Sequence, residues 1–154
     1  MTDSAYGRYF EDLEPGQKFR HWPGRTITEF DDTLFSLLSM NQHPLHIDEN
    51  FAAGTQHGQR LVEGPIVISL VIGMSQADVG GRALETLEYS GVRHAGPVFH
   101  GDTIYAESTI VGKSDLPNGR GVILVEHRGV NQREETVLTM ARKIVLPRRP
   151  SKLA

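Results

Sequence analysis

Hydrophobic residues recur with a helical period in one early segment of the chain, residues 29–39. Four apolar side chains share one face of a helix drawn over this segment: Phe30, Leu34, Leu37 and Leu38. Their spacing of three to four residues is typical of an α-helix, and Thr28 is suited to cap its first turn. Two short extended pieces, at 17–21 and 25–28, are predicted before it.

The longest apolar run follows Gly64 and Pro65 and extends to Met74. Proline suits the first turn of a helix because its missing N–H would have no partner there. The run is apolar on every side, so a helix formed by it must be covered all round. We expect Gly73, inside this helix, to mark the close approach of a strand.

Beyond residue 83 the apolar positions alternate with a period of two, which is typical of strands. Four strands are predicted, at 84–94, 102–113, 121–130 and 135–146. The sequence Pro117-Asn-Gly119 is a strong turn signal between the second and the third. Strands joined by short turns form antiparallel sheets. The chain is therefore predicted to be of the α+β class, with an antiparallel sheet wrapped around one long buried helix.

Composition narrows the functional classes. The 154 residues fit one domain, with an expected core at about 8–148 and a loose tail at 149–154. A hydrophobic fraction of 38% favours a globular chain over a disordered one. The net charge of −3 gives no electrostatic case for binding nucleic acid, which favours a basic face. Because cysteine is absent, disulfides, thiolate catalysis and cysteine zinc sites are excluded.

The N-terminal residues have neither the basic start nor the apolar core of a signal peptide. The longest apolar run is about half of the roughly 20 residues that a membrane span needs. We therefore expect a cytoplasmic protein with no membrane segment.

The densest cluster of proton-transfer side chains lies between Asn41 and Asp48. Pro44 disfavours helical geometry at His43, so we expect a loop there, with Asp48 capping a short turn after it. Together with His57 the segment offers three imidazoles and a carboxylate, a sound ligand set for zinc. Their spacing matches no helical His-x-x-x-His pattern, however, and we predict no metal site.

Three local motifs occur in order along the chain: Ser39-Met-Asn-Gln-His-Pro-Leu-His46, Leu61-Val-Glu-Gly64 and Pro97-Val-Phe-His-Gly-Asp-Thr103. In this order they resemble the MaoC-like dehydratases, the R-specific enoyl-CoA hydratases, over about residues 8–148. The first is similar to the family's hydratase loop, usually Gly-Asp-x-Asn-Pro-Leu-His. The second resembles the opening of the family's central helix, and the third a loop that usually reads Pro-Val-x-x-Gly-Asp-Thr. The resemblance implies the hotdog fold.

The resemblance also implies a reaction, the reversible addition of water to a 2-enoyl-CoA thioester, with no cofactor beyond the CoA of the substrate. In the family an Asp and a His of the loop act on the water and the α-carbon. His46 matches the histidine, but Asn41 stands at the position of the aspartate and cannot accept a proton from water. This variant is most similar to a branch associated with branched dicarboxylyl-CoA substrates such as mesaconyl-CoA or itaconyl-CoA.

Residue roles follow from this resemblance and from side-chain chemistry. His46 is the candidate proton-transfer residue because an imidazole can act as acid or base near neutral pH; a structural loop histidine is the alternative. Asn41 is expected to hold the water or the substrate carbonyl through its amide. Gly64 is the best donor to the thioester oxygen, with Ile66 as a second, because Pro65 has no N–H. Pro65 and Ile66 are also expected to contact substrate.

The phosphates of CoA favour basic side chains at the mouth of the site, and Arg60, Arg93 and Arg120 are candidates. Arg60, in the loop before the apolar helix, is the candidate partner for a second substrate carboxylate, although a solvated surface role stays open for each arginine. Family members dimerise by joining their sheets. We therefore expect a homodimer or higher homo-oligomer that binds an acyl-CoA between subunits.

Two other functions stay open. A hotdog acyl-CoA thioesterase usually has a carboxylate on or near the buried helix, and the absence of Asp and Glu between Gly64 and Gln76 disfavours it. A non-catalytic acyl-CoA binding subunit is the other alternative, which the asparagine at position 41 keeps open.

Overall fold

The strands form one antiparallel sheet in the computed structural model, which describes residues 6–150. The strands are β1 (Lys18–Arg20), β2 (Arg25–Thr26), β3 (Glu85–His94), β4 (Thr103–Leu116), β5 (Arg120–Val130) and β6 (Thr136–Pro147). Their order across the sheet is β1-β4-β5-β6-β3, and β2 pairs with β4. The four long strands predicted from the period-two pattern are confirmed, and β4 extends furthest beyond its predicted end.

Four α-helices lie within the described part of the chain: α1 (Glu29–Ser39), α2 (Pro44–Ile47), α3 (Glu49–Ala53) and α4 (Gly64–Ser75). Helix α1 has the predicted bounds. The hydroxyl of Thr28 accepts from the N–H of Asp31, whose carboxylate accepts in return from the N–H of Thr28, and the predicted cap is thus confirmed. A single π-helical turn, Gln76–Gly80, continues α4 towards the sheet.

Helix α1 turns its polar face inward. The apolar side chains of its predicted stripe are exposed, with Leu38 at 76% and Phe30 at 71%, whereas Asp32 and Ser36 are buried. An apolar stripe normally packs on the core. Here the buried polar pair contacts the segment before α4 instead, so the period identifies the helix but not its buried side.

Helix α4 packs one side on the sheet. Ile66, Val67 and Val71 are buried in a cluster with residues of β4 and β6 such as Ile104 and Leu138. The opposite side is open, however, because Pro65, Ser69 and Gly73 are exposed. The expectation of a helix covered all round is therefore wrong for a single chain. The expected close approach of a strand at Gly73 is also wrong, because a Cβ added there would meet no atom within 4 Å.

The histidine-rich segment is more helical than predicted. His43 is extended, as Pro44 requires, but Pro44 itself begins α2 where we expected a loop. Asp48 caps α3 by accepting from the N–H of Phe51 at 3.0 Å, which confirms its predicted role. Helix α3 ends at Gly54.

The described part of the C-terminal tail is anchored. The guanidinium of Arg148 and the backbone N–H of Arg149 both bond to the carboxylate of Glu11, and Arg149 also reaches Asp12 at 2.6 Å. The prediction of a loose tail is therefore wrong at residue 149. Residues 151–154, which it also covered, lie outside the described residues. No helix within residues 6–150 combines the length and the hydropathy that a bilayer span requires.

The core also contains a row of hydrogen-bonded polar side chains that crosses β4. The imidazole of His21 bonds to Asp78 through Nδ1 and to the Ser108 hydroxyl through Nε2, each at 2.7 Å. Ser108 also contacts Nδ1 of His127 at 2.8 Å. Burial, followed by the nearby charge of Arg142, lowers the pKa of His127 to about 3. His127 is therefore neutral in the folded chain at physiological pH.

Candidate active site

A cavity of about 440 Å³ lies where the histidine-rich segment, the start of α4 and the end of β3 meet. Its walls are formed by His46, His57, Leu61, Val62, Gly64, Pro65, Val67, His94, Ala95, Gly96, Pro97 and Val98. Three residues predicted from the sequence, His46, Gly64 and Pro65, thus lie around one space. The first could supply proton transfer and the second a backbone donor.

Hydrogen bonding fixes the tautomer of His46. Its Nδ1 lies 2.8 Å from the carbonyl oxygen of Leu61. A carbonyl only accepts, so Nδ1 carries the proton and donates, and Nε2 of the neutral ring keeps a free lone pair. The N–H of Leu61 donates in return to the carbonyl of Leu45 at 3.2 Å. The imidazole is therefore held against the segment that leads into α4, with Nε2 available as a base.

Gly64 supplies the one backbone N–H at the start of α4 that has no partner within residues 6–150. The N–H of Glu63 donates to Asp32 at 3.0 Å, and Pro65 has none. The N–H of Ile66 donates to the carbonyl of Glu63 at 3.1 Å. Ile66 is thus not free to act as the expected second donor, and its side chain lines a different cavity, beside Phe35 on α1.

A buried network of polar side chains holds the residue before Gly64. The carboxylate of Asp32 accepts the Glu63 N–H and also accepts from Nε2 of His100 at 2.8 Å. The carboxylate of Glu63 accepts from the Ser36 hydroxyl at 2.6 Å. Asp32 is fully buried and Glu63 is 2% exposed. Two carboxylates of the interior therefore fix the peptide that presents the Gly64 N–H.

Asn41 is absent from the walls of this cavity. Its side-chain oxygen accepts from the N–H of His43 at 3.2 Å, while its own N–H donates to the Ser39 hydroxyl. The amide NH₂ of Asn41 has no partner within residues 6–150. The expected role of Asn41 in holding water or substrate stays a prediction.

The three candidate arginines are also outside the cavity walls. Arg60 is held between Glu29 and Glu49, at 2.6 and 2.7 Å, and these hydrogen bonds raise its pKa. A substrate carboxylate would have to displace one of them, which disfavours the predicted role of Arg60. Arg93 is exposed on β3 beside His94. Arg120 begins β5 and pairs with Pro147, which lies at the opposite end of β6 from Leu138, the residue that pairs with His94.

Two histidines of the cavity were not predicted as catalytic. His57 was considered only as a metal ligand, and His94 stands at the end of a strand with no motif to mark it. Within residues 6–150, no three His, Asp or Glu side chains converge closely enough to hold a metal ion. The burial of Asp32 and Ser36 is likewise not predicted from the sequence. Their spacing of four residues indicates only that both lie on one face of the helix.

Comparison with known proteins places the chain in a family. The family model described as MaoC like domain matches residues 11–141. A mesaconyl-CoA hydratase from Cereibacter sphaeroides is 34% identical over 93% of this chain, which spans only 42% of that protein. An (R)-specific enoyl-CoA hydratase from Rhodospirillum rubrum is 31% identical over 92% of this chain and 98% of its own length.

The fold is shared as well. A solved structure from Mycobacterium tuberculosis, described as a double hotdog fold, superimposes with a TM-score of 0.84 and 26% identity over 96% of this chain and 46% of that one. The predicted hotdog fold is confirmed by this likeness. Because the family model covers most of the residues and a relative of similar length matches almost end to end, the chain belongs to the MaoC-like domain family.

Proposed function

We propose that this chain catalyses the reversible hydration of a short 2-enoyl-CoA thioester. The observation that supports the proposal is the cavity whose walls include both His46, the candidate base, and Gly64, the candidate backbone donor. The names of two relatives, a mesaconyl-CoA hydratase and an (R)-specific enoyl-CoA hydratase, support the same reaction class.

The reaction needs a base, an acid and a group that stabilises the enolate oxygen. Nε2 of His46 takes a proton from water while the water oxygen bonds to the β-carbon. The π electrons of the double bond move onto the thioester oxygen, where the Gly64 N–H and the positive end of α4 stabilise the negative charge. The imidazolium of His46 then returns a proton to the α-carbon. One molecule of water is added and His46 is regenerated.

A single proton-transfer group is consistent with the walls of the cavity, which include no carboxylate in the described part of the chain. Asn41 replaces the aspartate of the family pattern and cannot take the proton of water. We propose that Asn41 orients water or substrate through its amide, in the assembled enzyme, where its NH₂ is free to donate.

Branched dicarboxylyl-CoA thioesters, mesaconyl-CoA or itaconyl-CoA, are the substrates we propose first. The mesaconyl-CoA hydratase relative favours them. Arg60 is already paired with Glu29 and Glu49, so Arg93 is the better candidate for an anionic part of the substrate, since it is exposed next to the cavity residue His94. A cytoplasmic location likewise remains a prediction from composition.

We propose that the chain works as a homodimer, or a higher homo-oligomer, joined through β3. This strand lies at the edge of the sheet and pairs with β6 on one side. Leu87, Tyr89 and Val92 along it are about half exposed, and an exposed edge with apolar side chains favours pairing with another strand. Light scattering of the purified protein should give the mass of a dimer or a multiple of it, and a monomer at assay concentration would contradict this proposal.

A thioesterase is the second candidate, and the structure disfavours it. The acidic residue nearest to α4 is its N-cap, Glu63, whose carboxylate is buried and bonded to Ser36. It is absent from the walls of the cavity, where it would have to direct water at the thioester carbon. Non-catalytic binding of acyl-CoA is the third candidate function.

One assay separates the three. Crotonyl-CoA, mesaconyl-CoA and itaconyl-CoA are supplied in turn, while the absorbance of the conjugated thioester and the release of free thiol are followed together. A hydratase removes the absorbance of a conjugated substrate without releasing thiol. Thiol release indicates a thioesterase, and binding of CoA esters without either change indicates a binding subunit.

A further inference from the structure

We propose that His94 is a second catalytic residue, which donates a hydrogen bond to the thioester oxygen beside the Gly64 N–H. The inference rests on the proposed hydration of an enoyl-CoA and names a residue that the sequence motifs did not mark. It follows from three observations at the start of α4: the position of the imidazole, the shortage of backbone donors, and the hydrogen bonds of the other cavity histidines.

The imidazole of His94 lies directly against Gly64. A Cβ added to Gly64 would stand 2.5 Å from Cε1 and 2.6 Å from Nε2 of this ring, both closer than real contacts allow. The ring therefore occupies the space over Gly64 that any larger residue would fill. A thioester oxygen that accepts from the Gly64 N–H must lie within a few ångströms of the same ring.

The start of α4 provides one free backbone donor where negative charge would develop. Glu63 and Ile66 use their N–H groups within the protein, and Pro65 has none. Stabilisation of an oxyanion depends on preorganised donors, and the loss of one typically lowers kcat by about 10²–10³-fold. A second donor to the same oxygen would have to come from a side chain.

Three side chains of the cavity carry N–H groups, all of them histidines, and their hydrogen bonds and positions together favour His94. His46 uses Nδ1 on the Leu61 carbonyl and keeps Nε2 for the base. Nε2 of His57 accepts from the amide NH₂ of Gln56 at 3.3 Å, which leaves the N–H of a neutral ring on Nδ1. The side-chain atoms nearest to Gly64 belong to His94, however, and not to His57. His94 is solvent-exposed, has no hydrogen-bond partner within residues 6–150, and lies with its ring against Gly64. It is thus an available donor beside the Gly64 N–H.

A neutral imidazole is sufficient for this role. It carries one N–H, which can bond to the thioester carbonyl and bond more strongly to the enolate oxygen as charge develops there. No proton needs to leave His94, so the proton balance described for His46 is unchanged. Two histidines would then divide the work, one moving the proton and the other holding the oxygen.

Two variants and two readouts test the proposal. His94→Phe keeps a flat ring without a donor, and His94→Gln keeps an N–H. For the enoyl-CoA that is turned over, we expect kcat of the Phe variant to fall about 10²-fold with little change in KM, while the Gln variant retains more activity. His94→Leu replaces the Phe variant if thermal melts show that the latter does not fold.

The second readout needs no turnover. Butyryl-CoA labelled with ¹³C at the carbonyl binds without being hydrated, and its C=O stretch is followed by infrared difference spectroscopy. We expect the stretch to lie at lower frequency in the wild type and the Gln variant than in the Phe variant. Equal frequencies and equal kcat in all three proteins would overturn the role of His94. A wild type that binds butyryl-CoA with the expected shift but hydrates no enoyl-CoA would refute the hydratase proposal alone.

Discussion

Replacement of Asp32 tests whether the buried network positions the Gly64 N–H. This carboxylate is fully buried and accepts two hydrogen bonds, from the Glu63 backbone at 3.0 Å and from His100 at 2.8 Å. Asp32→Leu keeps a side chain that branches at Cγ, although a larger one, and removes both acceptors. Asp32→Asn keeps one oxygen, which can still accept from the Glu63 N–H.

The expected magnitudes follow from these contacts. In the Leu variant the Glu63 N–H is buried without a partner, which costs about 1–3 kcal/mol. His100 is partly exposed and can hydrogen-bond to water instead, so the loss of its bond to Asp32 adds less to this cost. We therefore expect the free energy of unfolding to fall by about 2 kcal/mol or more in Asp32→Leu, and by less in Asp32→Asn. Because the freed peptide also moves Gly64, kcat should fall more in the Leu variant than in the Asn variant.

Urea unfolding, with an unchanged m-value, measures the first effect and steady-state hydration the second. Asp31→Asn is the matched control. This neighbouring carboxylate caps the exposed end of α1 and pairs with Arg25 but does not contact Glu63, and its loss should cost about 1 kcal/mol. If the Leu and Asn variants lose equal stability, the Glu63 N–H is not what Asp32 holds. If stability falls while kcat is unchanged in both, the network does not position Gly64.

Three further predictions concern single residues. His46→Gln should lower kcat by at least about 10²-fold while the variant still folds, and activity like that of the wild type would remove His46 from the mechanism. Asn41→Asp should retain hydration and shift its pH profile if Asn41 orients water, whereas complete loss in a folded variant would show that the amide donor is required. For His127, burial and the charge of Arg142 lower the pKa to about 3. Only the unfolded chain binds this proton below about pH 6.5, so the free energy of unfolding contributed by His127 should fall by about 2 kcal/mol from pH 7 to pH 5. Urea titrations at both pH values should show this decrease in the wild type and not in His127→Leu; equal pH slopes would refute it.

Much of the local structure could be predicted because its signals lie within a few residues. The bounds of α1 follow from its period and the capping box of Thr28 and Asp31. The long strands follow from alternation of apolar residues, and a one-residue shift in any of them would exchange the residues of its two faces. His46 and Gly64 are candidates by motif, and both line one cavity, while their roles stay predictions.

The rest depended on contacts between distant segments. The pattern of α1 suggested that its apolar stripe faces the core, yet Asp32 and Ser36 are the buried residues because they bond to Glu63, about thirty positions away. His94 belongs to no motif and reaches Gly64 only because β3 ends beside the start of α4. Such contacts are decided by tertiary packing, which a local period does not report.

The most direct test of the proposed function is hydration in water labelled with ¹⁸O, followed by mass spectrometry of the products. With mesaconyl-CoA or crotonyl-CoA, the account predicts that the CoA thioester stays intact and gains one molecule of labelled water, with the label on the β-carbon. It also predicts that His46→Gln forms this product at least about 10²-fold more slowly. Label found in the carboxylate of a free acid, or no label in any product, would contradict the assignment of this chain as an enoyl-CoA hydratase.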